Sequence, residues 1–235
     1  MLILIFKTFK IRVLFPKDLF QAVARNDLKT CRAGIEDSHF SVDAKDDEGD
    51  PLLLVAVRYK SFQVCEYLLQ MGARPNATDR NKVTPLILAA NLKDTKMCKL
   101  LLENDAAVHQ LSNTGFTPLM AAAKMKNVEL VRLLLQYNAN VNKQDKYGWT
   151  ALHYCLVGTN EMVELLIEYG ADVNAISKKG VTPLMIACEK NSRGNALTLA
   201  RAGADFLAGS TPAWCYANEN VRSHLEQHGF VNQYY

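Results

Sequence analysis

Histidine and cysteine are the side chains through which this chain could do nucleophilic or metal chemistry. It has five of the first and six of the second among 235 residues. His153 and Cys155 come nearest to a thiol–imidazole pair, but they lie only two residues apart. On a helix, side chains meet at spacings of three and four, so these two point in different directions. His109, His224 and His228 offer no convincing second ligand. The sequence also lacks a His-Glu-x-x-His helix, a phosphate-binding glycine loop, a Cys-x-x-Cys pair and a Gly-x-Ser-x-Gly elbow. No catalytic residue, metal site or cofactor is expected, and the chain is read as a non-enzyme.

The elements that position these residues follow from a repeat. Thr-Pro-Leu occurs at Thr84, Thr117 and Thr182, with Thr150-Ala151-Leu152 between them, so the threonines step by 33, 33 and 32 residues. One period earlier stands Pro51, and Thr211-Pro212-Ala213 begins a shortened last copy. A fixed period of this length signals a stacked array in which each unit buries its apolar face against the next. The period also explains the cysteines. Cys31, Cys65 and Cys98 fill one small apolar position that is Val131 and Ala196 in other copies. Packed helices lie ~10 Å apart, beyond the ~7 Å limit for a disulfide. Cys155 and Cys188 replace alanines of another helix. Reduced, buried thiols are expected, which points to an intracellular protein, cytoplasmic or nuclear. The glycosylation pattern at Asn76-Ala77-Thr78 is then coincidental.

Within one unit, residues 117–142, Thr117 suits a helix N-cap and Pro118 the first turn. Leu119, Ala122 and Ala123 follow at helical spacing, and Asn127 breaks the run. Val128, Val131, Leu134 and Leu135 mark a second amphipathic helix. Asn138 ends it where other copies have Gly72, Gly170 and Gly203, residues that adopt the left-handed stop conformation. Residues 141–148 form a short extended excursion with a turn. The fold class is therefore all-α, a solenoid of helix-turn-helix units with projecting β-hairpin loops.

Gly148-Trp149-Thr150-Ala151-Leu152-His153 and Gly170-Ala171-Asp172-Val173-Asn174 closely resemble the ankyrin repeat consensus. The resemblance extends from about residue 17 to 230, with repeats near 17–46, 47–79, 80–112, 113–145, 146–177, 178–206 and 207–230. Polar Arg222, Ser223, Glu226 and Gln227 suit a terminal helix with one face in water. By the same resemblance His153 braces its hairpin, and Asn142 and Asn174 are candidate substrates for asparagine hydroxylation. Lys82 replaces the glycine usual before the threonine, so an altered turn is expected there. A residue is missing between Leu156 and Glu161, and the hairpin at 206–209 is short.

Net charge is +3, too balanced to predict nucleic-acid binding from overall charge. No apolar run reaches the ~20 residues of a membrane span. Residues 1–16 are assigned as an apolar extension covering the first repeat, or a misplaced start, in preference to a membrane-touching segment. Lys7, Lys10 and Arg12 interrupt the run, and no cleavage site follows it.

The ankyrin resemblance implies a partner-binding concave face built from hairpin tips and the exposed side of each first helix. Carried onto this sequence, it gives Asp47, Glu48, Asp50 and Tyr59, then Leu92, Phe116 and Met125, then Tyr147, Trp149, Lys178, Lys179 and Lys190. This set runs from an acidic end, which also includes Asp46, through apolar anchors to a basic end. Such anchors in a polar surround are typical of protein–protein contacts, and opposite end charges would orient a partner. The expected function is binding of a protein or peptide along the groove by a monomeric array. The alternative is a substrate adaptor or regulatory subunit of an enzyme complex, such as a ubiquitin ligase, although no recruiting box follows the last repeat.

Overall fold

A computed structural model of the chain describes residues 16–38, 40–156 and 159–231. The extension assigned to 1–16 falls outside it except for Pro16, and the missing-residue site is only partly included. Helix pairs follow one another along the chain. They are α1 (Pro16–Ala24) with α2 (Leu28–Arg32), α3 (Leu52–Arg58) with α4 (Phe62–Gln70), and α5 (Pro85–Asn91) with α6 (Thr95–Glu103). Next come α7 (Pro118–Lys124) with α8 (Val128–Gln136), α9 (Ala151–Cys155) with α10 (Asn160–Glu168), and α11 (Pro183–Glu189) with α12 (Arg193–Arg201). A 3₁₀ turn at Ala213–Cys215 and α13 (Glu219–Glu226) complete the series. First helices pack on the first helices of neighbouring units and second on second, giving an inner and an outer row. The core is continuous from Leu19 to Leu225.

The repeated phrase acts through its caps. Thr84, Thr117 and Thr182 each accept a hydrogen bond from the backbone N–H three residues on, at 3.0–3.3 Å. Each such cap contributes about 1 kcal/mol. The alanines behind it, Ala89, Ala90 and Ala121–Ala123, are buried and let the inner helices approach closely. Outer helices begin at Asp27, Asp94 and Asn127, whose side chains accept from Thr30, Met97 and Leu130 N–H. The outer helices α4, α8, α10 and α12 are followed by Gly72, Asn138, Gly170 and Gly203, all with positive φ as expected.

Two irregularities resolve differently. Lys82 adopts φ 56° and its N–H still reaches the Asp79 carbonyl, so the turn is kept without glycine. By contrast, α9 spans five residues where α5, α7 and α11 span seven. The Leu156 carbonyl left at its end accepts from Asn195 Nδ2 of the next repeat at 3.2 Å, and Asn195 is buried. At the far end, Phe206 stacks on Trp214, and α13 buries Val221 and Leu225 while Arg222, Ser223, Glu226 and Gln227 face out.

The projecting loops are turns rather than β-ladders; among the described residues the only bridge is Lys45–Pro51. One side chain organises each tip. Asp145 Oδ1 accepts from the N–H groups of Tyr147 and Trp149 at 2.8 and 2.9 Å. Asp46 and Asp79 do the same in their copies, and Ser112 and Ser177 substitute a hydroxyl. Successive tips are tied by backbone bonds, Asn113 N–H to Asn81 O, Lys146 N–H to Thr114 O and Lys178 N–H to Tyr147 O. The last of these needs Gly148. Its φ is 79°, and a Cβ there would meet Lys178 N at 2.7 Å.

Candidate functional site

His153 and Cys155 do not form a reactive pair. The His153 ring is buried, with Nδ1 3.2 Å from Thr150 N and Nε2 3.2 Å from the Val181 carbonyl. A carbonyl only accepts and an N–H only donates, so the proton sits on Nε2 and the ring is neutral. Burial lowers its pKa, in keeping with that state. His153 thus links its own helix cap to the next hairpin, the bracing role expected. Cys31, Cys98, Cys155 and Cys188 are buried thiols pushed up to about 12 by desolvation, and Cys65 is raised too. Cys215, which the repeat phase left unexplained, is exposed. His224, on α13, and His228, in the turn that follows it, have ring centroids 4.7 Å apart. Among the described residues no third potential ligand joins them into a metal-holding group.

The middle and basic parts of the expected surface converge. Tyr147, Trp149, Lys178 and Lys179 line a single cleft of about 400 Å³ together with Lys146 and Tyr154. The rings of Trp149 and Tyr154 form its floor and continue into a run of rings behind it. Trp149 and Tyr154 have centroids 5.2 Å apart, Tyr154 meets Phe116 edge-on at 5.3 Å, and Trp149 backs onto His153 at 5.6 Å. Tyr154 is fixed by its hydroxyl, which donates to Asp145 Oδ2 at 2.6 Å. Burial, and then that bond, raise the phenol's pKa. One buried carboxylate therefore shapes the hairpin through Oδ1 and anchors the cleft floor through Oδ2. Lys146 Nζ lies 4.8 Å from the Tyr147 ring centre, and Lys124 Nζ lies 5.8 Å from that of Phe116.

Tyr59, Leu92, Met125 and Lys190 share one repeat position, the residue that caps the C-terminus of each inner helix. They form a row beside the tips, from the well-exposed Tyr59 to the half-buried Leu92 and Met125. Lys190 is exposed and its ammonium sits 3.1 Å from Glu189, which partly offsets its charge.

The acidic end is weaker than its composition suggests. Asp50 is 4% exposed and paired with Arg58, and Asp46 spends its carboxylate on the turn. Only Asp47 and Glu48 stay exposed, and Arg58, Asp79, Arg80 and Asn81 share a cleft with Glu48 and Asp50. Arg80 also donates to the Asp47 carbonyl at 3.3 Å. Asp50 is thus a buried scaffold residue rather than an accessible one, because its carboxylate lies inside the fold and is neutralised there by Arg58.

A family profile for ankyrin repeats, three copies to the unit, matches residues 19–111, 53–145, 86–177 and 140–209 in overlapping registers. The chain is an ankyrin-repeat protein. Its fold is similar to the crystal structure of the ankyrin repeat domain of Bcl-3, a member of the IkappaB family. That match has 26% identity and a TM-score of 0.77, and covers 88% of this chain and 97% of the other. An ankyrin repeat domain from Acinetobacter baumannii AYE is 31% identical with a TM-score of 0.74, covering 80% of this chain and 98% of that one. No curated protein sequence matches. Ankyrin repeats are in general protein–protein interaction modules, and among the described residues no helix is long and apolar enough to cross a membrane.

Within this ankyrin array, sequence reasoning missed Tyr154 and Asp145. Tyr154 lies four residues after the threonine, inside the scaffold phase, and its reach to Asp145 depends on how the hairpin folds back. The ankyrin asparagines have a structural engagement of their own. Asn142 Nδ2 donates to Gly170 O at 2.9 Å, and Asn142 Oδ1 accepts from Asp172 N at 2.7 Å. Asn76 and Asn174 make the same pair of bonds to their next repeats.

Proposed function

We propose that this ankyrin protein is a non-enzymatic binding module that holds a protein or peptide segment along its row of hairpin tips. The observation that carries this is the cleft at Tyr147, Trp149 and Tyr154. It is an apolar floor with a charged rim, supported by a buried Asp145 network that fixes its shape before any partner arrives. A preformed site loses less entropy on binding than a mobile one. Aromatic residues concentrate the energy of such contacts. Five buried thiols support residence in a reducing, intracellular compartment.

The test compares proteins retained by the wild type with those retained by a Tyr147→Ala, Lys178→Glu, Lys179→Glu variant. All three side chains are exposed, so the fold should survive, as a thermal melt would verify. Loss of specific partners with an unchanged melt supports the proposal. An unchanged set of partners removes this site from consideration.

A further inference from the structure

Resting on the binding function proposed above, the chemistry of the cleft narrows the partner. We infer that it takes an acidic segment of a partner protein, anchored by one aromatic or large aliphatic side chain. The floor is made of ring faces and edges. Of the two tyrosines that line the cleft, Tyr154 already donates its hydroxyl proton to Asp145. The floor therefore favours an apolar group.

The rim selects charge. Lys146, Lys178 and Lys179 line the cleft, all exposed, and among the described residues none is ion-paired. Asp145, the neighbour of Lys146 in sequence, is 6% exposed and accepts three hydrogen bonds, so it does not compete for the lysine charge from the surface, and no carboxylate is among the residues that line the cleft. A cationic occupant is disfavoured twice. It would meet three lysines, and Lys146 already lies against the Tyr147 ring that a cation would use. A nucleic-acid strand is disfavoured by what lies further along the tips. Asp47 and Glu48 are exposed there and would repel a continuous polyanion. A short acidic stretch of polypeptide meets neither obstacle, and the cleft volume matches the size of pockets that enclose small ligands, ~300–1,000 Å³.

The experiment titrates isotope-labelled protein with a peptide of glutamates and aspartates around one central phenylalanine, up to millimolar concentration. The reporters are the Trp149 indole N–H and the amides of Tyr147 and Lys178, with the buried Trp214 indole as internal control. The expected result is a saturable shift at the first three, weakened about tenfold by Lys178→Glu, Lys179→Glu and by higher salt. Replacing the central phenylalanine with serine should weaken it as much. Absence of a saturable shift at Trp149 overturns the inference. So does equal binding of a peptide with lysines in place of the acids, or tighter binding of an oligouridylate at the same residues. If the acidic peptide fails while the same lysine reversal still strips partners from the intact protein, only the partner chemistry is refuted and the binding function stands.

Discussion

Replacing Asn142 with alanine should loosen the junction between the fourth and fifth repeats, 113–145 and 146–177. The Asn142 side chain supplies one donor and one acceptor across that junction, to Gly170 O at 2.9 Å and from Asp172 N at 2.7 Å. A net hydrogen bond contributes about 0.5–1.5 kcal/mol. Asn142 is exposed, so water re-solvates the abandoned groups, and the low end applies to each bond. The expected loss is therefore about 1 kcal/mol, or about 2–4 °C in melting temperature for a chain of this length. Urea unfolding followed by circular dichroism measures the total. Hydrogen exchange at the Asp172 amide measures the junction itself, because neighbouring repeats open semi-independently. If neither the melt nor the Asp172 exchange rate changes, the reasoning about this junction is wrong. The mirror experiment uses His109, which holds the same repeat position as Asn76 and Asn142. It borders a cavity of about 240 Å³ lined by Val108, Leu119, Ala139 and Asn140. His109→Asn should raise stability by a similar amount, about 1 kcal/mol.

Three further outcomes are expected. His153 has its pKa lowered in the fold, so below its ordinary value of 6.5 the unfolded chain takes up the proton first. Stability should be full above pH 6.5 and fall as pH drops below it, and His153→Gln should flatten that limb of a melting-temperature profile. A maleimide should label Cys215 rapidly in the native protein, the other five cysteines reacting only on unfolding, as peptide mapping would show. Gly148→Ala should destabilise the array by at least about 1 kcal/mol through its positive φ and the clash with Lys178 N, and should break the tip-to-tip bond beside the cleft.

Much of the scaffold was legible because the repeat states it in residue types. Threonine followed by proline announces a cap, and Gly72, Gly170 and Gly203 announce a stop. Counting from the threonine also placed Tyr147, Trp149, Lys178 and Lys179, which the structure gathers into one cleft. What escaped the count depends on three-dimensional return. Asp145 and Tyr154 are nine residues apart and meet because the hairpin folds back over its helix. Asp50 reads as surface charge until Arg58, on the following helix, is seen to neutralise it. Lys82 shows the converse. A lysine without glycine's conformational freedom still takes the left-handed turn, because Asp79 caps that tip as Asp46 and Asp145 cap theirs.

The central claim is that partners dock on the hairpin-tip cleft rather than on the outer helices. A photo-cross-linking residue placed at Tyr147 in living cells, compared with one at Arg132 on the outer helix α8, tests it most directly; both positions are exposed. The account predicts discrete adducts from Tyr147 that disappear with Lys178→Glu, Lys179→Glu, and none of matching mass from Arg132. Adducts from Arg132 alone, or adducts from Tyr147 indifferent to the lysine reversal, would contradict it.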